Sequence, residues 1–172
     1  MSREVHVRFC ESLEVQFLRA THPYIWTQKG WSYLAVVMDL YSRKIIGWSV
    51  SDKPDTSLVL SALSQALVTR NYVHGQLMFH SDQGCQYTSK ELCRFLRERG
   101  IVQSMSRRGQ CWDNAPNESF FKTMKLETGL AKAHLPGPSE VESVLFDWIE
   151  TRSNLIHYCP KCFDFFCPRF GL

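Results

Sequence analysis

Three runs of aromatic and β-branched residues follow one another early in the chain, and they limit what the chain can fold into. The runs are Tyr24-Ile25-Trp26, Trp31 to Asp39 and Lys44 to Val50. Residues of these types are enriched in β-strands. The connections, Gln28 to Gly30 and Leu40 to Arg43, are short enough to join only antiparallel neighbours. The sequence therefore predicts a three-stranded antiparallel meander.

Helical and strand patterns alternate after the meander. The first helix shows apolar residues at spacings of three and four, with Asp55 or Thr56 available as its N-cap. The predicted elements are a helix from Ser57 to Thr69, a strand from Gln76 to Phe79, a helix from Ser89 to Arg99 closed by Gly100, a strand from Ile101 to Met105, a helix capped by Asn114 that runs to about Thr128, and a helix from about Ser139 to Thr151. This order of elements predicts an α/β fold.

Composition is typical of one globular domain. The 172 residues are 44% hydrophobic, enough for a sizeable core, and a net charge of +3 is too small to indicate a nucleic-acid partner by itself. No apolar run approaches the ~20 residues of a membrane helix, and the N-terminus lacks a signal-peptide pattern, so we expect a cytoplasmic protein without a membrane partner. The seven cysteines are expected to be free thiols.

Two acidic residues are candidates for a metal site. Asp82 follows a predicted core strand, where sheets with helical crossovers present ligand sites, and Glu118 lies in the first turn of a predicted helix. Converging carboxylates suit Mg²⁺ or Mn²⁺, which promote in-line phosphoryl transfer. The alternative is structural: Asp82 caps a turn with Gly84, and Glu118 favours the helix dipole. Spacing alone leaves both interpretations open.

Several motifs carry a family resemblance. They are His80-Ser81-Asp82-Gln83-Gly84, Tyr87-Thr88-Ser89, Trp112-Asp113-Asn114-Ala115-Pro116-Asn117-Glu118-Ser119-Phe120-Phe121, and upstream Tyr33 to Arg43 and Ile46-Gly47-Trp48. Residue 118 is 36 positions after residue 82, so 35 residues intervene. These motifs, which span about Tyr24 to Thr128, resemble the retroviral-integrase-like transposases of bacterial insertion sequences, second-frame type.

The resemblance implies a ribonuclease-H-like fold, with a mixed five-stranded sheet flanked by helices. It also implies an Asp, Asp, Glu triad that holds two divalent ions, Mg²⁺ or Mn²⁺, and cleaves and transfers strands at transposon ends. Asp82 and Glu118 match the second and third members of that triad. The implied partners are DNA, as transposon ends and target, and further copies of the chain on that DNA. Residues 21–151 form the expected core, between divergent segments 1–20 and 152–172.

The first carboxylate of the triad is missing. Aligning the family's first strand with Tyr24 to Thr27 places this carboxylate at position 21, where this chain has Thr21. A neutral hydroxyl is a poorer Mg²⁺ ligand than a carboxylate, so we expect weak or absent activity. Asp39, in a hairpin turn, and His22, whose imidazole suits Zn²⁺ better, are less favoured substitutes.

Basic residues near Glu118 are candidate DNA contacts. Lys122 and Lys125 lie at +4 and +7 from Glu118, on the same predicted helix face, and Arg107 and Arg108 precede that helix. The alternative is a solvated face with a weak Glu118–Lys122 pair.

The tail contains a weak candidate for a zinc site, which lacks a second Cys-x-x-Cys or similar pair of ligands. Its possible ligands are His157, Cys159, Cys162 and Cys167. Both ends of the chain look like degraded or out-of-frame sequence.

Three functions remain open at this point. The first is a metal-dependent polynucleotidyl transferase. The second is a catalytically inactive remnant that binds DNA or oligomerises. A ribonuclease-H-type nuclease on the same fold is the third and least favoured.

Overall fold

A computed structural model describes residues 16–21, 24–70, 72–106, 115–130 and 135–153 of the chain. Within these ranges, the strands are β1 Gln16–Thr21, β2 Tyr24–Thr27, β3 Gly30–Asp39, β4 Ile45–Ser51, β5 Leu77–Ser81 and β6 Val102–Met105. The helices are α1 Thr56–Thr69, α2 Lys90–Glu98, α3 Ala115–Glu127 and α4 Pro138–Trp148, with a π-helical turn at Ile149–Ser153. All of the strands belong to one mixed sheet, as predicted.

The six strands occupy five positions in the sheet. Both β1 and β2 pair antiparallel with β3, in succession along one of its edges, and β4 pairs with the other edge. On the far side of β1, β5 pairs parallel with it, and β6 pairs parallel with β5. The predicted meander is confirmed as β2, β3 and β4, and the five predicted positions are present because β1 and β2 share one of them.

The sheet contains one strand that the sequence analysis did not predict. Strand β1 begins at Gln16 and lies in the middle of the sheet between β3 and β5. Its sequence, QFLRAT, shows no strict alternation of apolar and polar residues. Pairing with strands on both sides makes this segment extended, and that pairing is not visible in the local pattern.

Helix boundaries follow the predicted caps. The Asp55 carboxylate accepts a hydrogen bond from the Leu58 N–H of α1 at 3.1 Å, and the Ser89 hydroxyl accepts one from the Leu92 N–H of α2 at 3.2 Å. Helix α2 closes at Gly100, whose φ of +63° allows the Ile101 N–H to reach the Leu96 carbonyl at 2.9 Å. Residues within one turn of these helix ends, Asp55, Ser89 and Gly100, therefore determine the three boundaries.

The core has two layers, one on each face of the sheet. Helices α1 and α2 cover one face, and α3 and α4 cover the other. Strand β3 serves both layers, because Ala35 and Val37 point to the first while Leu34, Val36 and Met38 point to the second. Phe120 and Met124 hold α3 against the second face. None of the helices in the described ranges is long and apolar enough to cross a membrane.

We predict that Gly47→Ala destabilises the fold, because β4 and α1 are in close contact there. A Cβ at residue 47 would lie 2.7 Å from the Ala66 amide nitrogen and would clash with the Ala62 carbonyl oxygen. Since both atoms are backbone, the free energy of unfolding should fall by about 1–3 kcal/mol. Urea unfolding measures it, with Ser64→Ala on the exposed side of α1 as the control; equal midpoints would contradict the prediction.

Candidate active site

Three parallel strands end together at one edge of the sheet. Ala20 of β1 and Met105 of β6 both pair with Ser81, the last residue of β5. Asp82 follows Ser81 directly, so it lies at this edge, as predicted from its place after a core strand. We call this the carboxyl edge of the sheet.

Hydrogen bonds tie the turn that contains Asp82 to the end of the neighbouring strand, β6. The Ser106 N–H donates to the Ser81 carbonyl at 2.9 Å, and the Gln83 side-chain amide donates to the Ser106 carbonyl at 3.2 Å. One strand residue earlier, His80 Nδ1 lies 3.0 Å from Ser104 Oγ. The ends of β5 and β6 are therefore tied together, and the position of Asp82 depends on both.

The Asp82 carboxylate is only partly used by the fold. Its Oδ1 accepts a hydrogen bond from the Gly84 N–H at 2.8 Å, which confirms that Asp82 closes a turn. Within the described ranges, Oδ2 accepts no hydrogen bond and no cation pairs with the carboxylate. The side chain is partly exposed. The turn therefore leaves one carboxylate oxygen available to a ligand.

A buried tyrosine, Tyr87, interacts electrostatically with this carboxylate and was missed in the sequence analysis. Burial, and secondarily the negative charge of Asp82, raise the pKa of Tyr87 well above its usual value. The ring is fully buried, with its centroid 6.2 Å from that of Phe79. Tyr87 thus stays neutral at physiological pH and adds no second negative charge near Asp82. The Tyr87-Thr88-Ser89 motif was the available signal.

Position 21 lies beside Asp82 along the carboxyl edge. Ala20 pairs with Ser81, so the residues that follow them, Thr21 and Asp82, lie side by side. Neighbouring strands are about 4.8 Å apart. The backbone of Thr21 thus occupies a place from which a side chain could share a ligand with Asp82. The Thr21 side chain itself lies outside the described part.

The other predicted site residues are described to different extents. Glu118 lies on α3, but its side chain is outside the description, so its approach to Asp82 stays a prediction. Lys122 is exposed, and the Lys125 ammonium lies 5.5 Å from the centroid of the Tyr24 ring. The remaining candidates lie outside the described residues: Arg107, Arg108, His22, His157, Cys159, Cys162 and Cys167. Of the cysteines, Cys85 and Cys93 are described, and both are free thiols, as predicted.

Asp39 has a structural role, as its turn context predicted. It is completely buried, and its carboxylate accepts hydrogen bonds from the Tyr41 N–H at 3.1 Å and the Ser42 hydroxyl at 2.6 Å. Arg70 forms an ion pair with it at 2.6 Å. Asp39 pairs with Leu18, three residues before the end of β1, and so lies away from the carboxyl edge. The described residues contain no cluster of three or more His, Cys, Asp or Glu suited to a metal.

Comparison with known proteins agrees with this architecture. The integrase core domain profile matches residues 19–111, more than half of the chain. The transposase for insertion sequence element IS904 of Lactococcus lactis is 39% identical over 165 residues, covering 87% of this chain and 64% of that protein.

Two solved structures share the fold at low sequence identity. The catalytic domain of Mos1 mariner transposase matches with a TM-score of 0.65 at 13% identity, covering 84% of this chain and 74% of that one. The catalytic core domain of HTLV-2 integrase, solved with magnesium, matches with a TM-score of 0.60 at 19% identity, covering 79% of this chain and 86% of that one.

The chain therefore belongs to the integrase core domain family, and the predicted resemblance to insertion-sequence transposases is confirmed. The ribonuclease-H-like fold predicted from the motifs is confirmed as well. The chain spans 64% of the length of the IS904 transposase, which is less than two thirds.

We predict that Asp39→Asn and Arg70→Gln lower stability and leave divalent-ion binding unchanged. Removing one partner of a buried ion pair typically costs about 3–5 kcal/mol. Because the Arg70 side chain is 31% exposed, we expect a smaller loss here, of about 2 kcal/mol. Chemical unfolding and Mn²⁺ titration measure the two properties separately. Weakened Mn²⁺ binding by folded Asp39→Asn would contradict the structural role.

Proposed function

We propose that this chain is the catalytic core of an insertion-sequence transposase, which cleaves DNA at transposon ends and joins the ends to target DNA. The observation that carries the proposal is the available Oδ2 of Asp82 at the carboxyl edge, in a chain of the integrase core domain family. Within the described ranges no cation pairs with this partly exposed carboxylate, so a divalent ion could do so. The proposed DNA substrate places the activity in the cytoplasm.

Asp82 and Glu118 are the proposed ligands of Mg²⁺ or Mn²⁺. Hard divalent cations prefer carboxylate oxygens, and Asp82 offers one oxygen beyond its turn hydrogen bond. Bound there, the ion would supply Lewis-acid stabilisation of charge on the reacting phosphate. The Gln83–Ser106 hydrogen bond would hold the Asp82 carboxylate in place during the reaction. Neutral Tyr87 would add no second negative charge near Asp82.

We propose that Thr21 weakens the activity. It stands level with Asp82, in the position where the family resemblance implies the first carboxylate. A threonine there removes one negative charge from the ligand set, so divalent ions should bind less tightly. The same placement favours a second candidate function, a catalytically inactive core that still binds DNA and joins other copies on it.

The proposed DNA contacts are two lysines of α3 and two arginines that precede this helix in the sequence. Lys122 is exposed, so it can approach a phosphate without losing a partner in the described part of the chain. Lys125 could do the same from beside Tyr24. We propose Arg107 and Arg108 as further phosphate contacts, from their place in the sequence. Contacts of this kind position DNA but do not read its sequence.

We predict that Thr21→Asp raises Mn²⁺-dependent strand transfer on a short duplex by about tenfold or more. A restored carboxylate should strengthen ion binding, and each 1.36 kcal/mol of stabilisation is worth a factor of ten in rate. Adding Asp82→Asn should abolish the gain while keeping the turn, because Asn also accepts from the Gly84 N–H. Asp147→Asn on α4 is the matched control. Equal activity with and without Asp82→Asn would refute the proposed site.

We also predict that Lys122→Gln and Lys125→Gln weaken binding to duplex DNA and reduce its salt dependence. Each lost phosphate contact should lower the slope of log K against log salt by about 1. Fluorescence anisotropy between 50 and 200 mM salt measures the slope. Lys90→Gln, on α2 and the opposite face of the sheet, is the control. An unchanged slope in both variants would place the DNA elsewhere.

A further inference from the structure

Three large aromatic side chains are exposed together on the hairpin of β2 and β3. The exposed fractions are 60% for Tyr24, 52% for Trp26 and 47% for Trp31. Trp31 makes edge-to-face contacts with both neighbours, at centroid distances of 5.2 Å to Tyr24 and 4.8 Å to Trp26. Trp26 pairs with Trp31 across the hairpin, so the three rings share one face. We call Tyr24, Trp26 and Trp31 the aromatic platform.

The core does not require this platform. The opposite face of the same hairpin is already buried, with Ile25 at 3% exposure and Ser32 at 1%. Ile25 belongs to the second core layer, between the sheet and helices α3 and α4. Adjacent large aromatic residues that remain half exposed are unusual on a protein surface and are typical of binding sites.

A positive charge lies next to the platform. The Lys125 ammonium is 5.5 Å from the centroid of Tyr24, and exposed Lys122 precedes it by three residues on α3. Aromatic faces beside ammonium groups match the alternation of bases and phosphates in a nucleic-acid strand. In a duplex the base faces are stacked on each other, so stacking on the platform requires unpaired bases.

The platform lies close to the proposed catalytic site. Tyr24 follows Thr21 by three residues on the same edge of β3, a distance of about 10 Å at 3.3 Å per residue. Lys125 follows Glu118 by seven residues, which is also about 10 Å of helix. A DNA strand held at the carboxyl edge would therefore reach the platform within a few nucleotides.

We propose that the aromatic platform binds unpaired bases of the DNA strand next to the end held at the catalytic site. The rings stack on the bases, and Lys125 contacts a phosphate between them. Stacking of this kind is independent of sequence, because every base has a π-face. The location beside the carboxyl edge rests on the proposed function, whereas binding of a single strand does not require catalysis.

Binding of a fluorescent 12-nucleotide oligo-dT, measured by anisotropy in EDTA, tests the platform without metal or catalysis. We expect Trp26→Ala and Trp31→Ala each to raise the Kd about tenfold or more, as loss of one stacking ring predicts. Trp26→Phe keeps a ring and should retain most of the affinity. Tyr41→Ala, which removes a 79% exposed aromatic on the turn after β3, is the matched control. Circular dichroism identifies the variants that fold.

The outcomes separate the platform from the catalytic proposal. Oligo-dT binding unchanged in folded Trp26→Ala, or lowered equally by Tyr41→Ala, would overturn the platform. So would a loss of self-association in sedimentation with oligo-dT binding intact, because the surface would then bind a second copy of the chain. Asp82→Asn should retain oligo-dT binding in EDTA. Failure of strand transfer in every variant would count against the catalytic proposal alone.

Discussion

The parallel pairing of β1 with β5 is the interaction on which the rest of the structure depends. Strand β1 is the only described element that joins the antiparallel hairpins of β2, β3 and β4 to the parallel pair of β5 and β6. Its backbone hydrogen bonds bring the ends of three strands to one edge of the sheet. The carboxyl edge, and with it the relation between position 21 and Asp82, exists because of this pairing.

Two aspartates, one at the end of β3 and one directly after β5, differ in how the described residues surround their charge. Asp39 is completely buried, accepts two hydrogen bonds in its turn and pairs with Arg70. Within the described ranges, the Asp82 carboxylate accepts one hydrogen bond, from the Gly84 N–H. The charge of Asp39 is compensated within the protein, whereas the charge of Asp82 is compensated by nothing in the described ranges. An external cation can therefore supply what the fold leaves out.

The threonine at position 21 leaves the fold unaffected, because β1 is held by its backbone. A β-branched residue suits an extended strand at least as well as aspartate does. The change therefore acts on the proposed ligand set and not on the pairing that positions it. The pairing of β1 thus needs no carboxylate at position 21, whereas the proposed ligand set does.

Local signals in the sequence determined the meander, the caps at Asp55 and Ser89, the end of α2 at Gly100 and the motifs around Asp82 and Glu118. Each of these depends on residues within a few positions of one another. Tertiary structure alone decided that Gln16–Thr21 form a central strand between β3 and β5, and that exposed aromatic residues of the β2–β3 hairpin lie beside Lys125 of α3. The physical reason is that these relations arise from strand pairing and helix packing between segments distant in the chain, and no local pattern records such pairing.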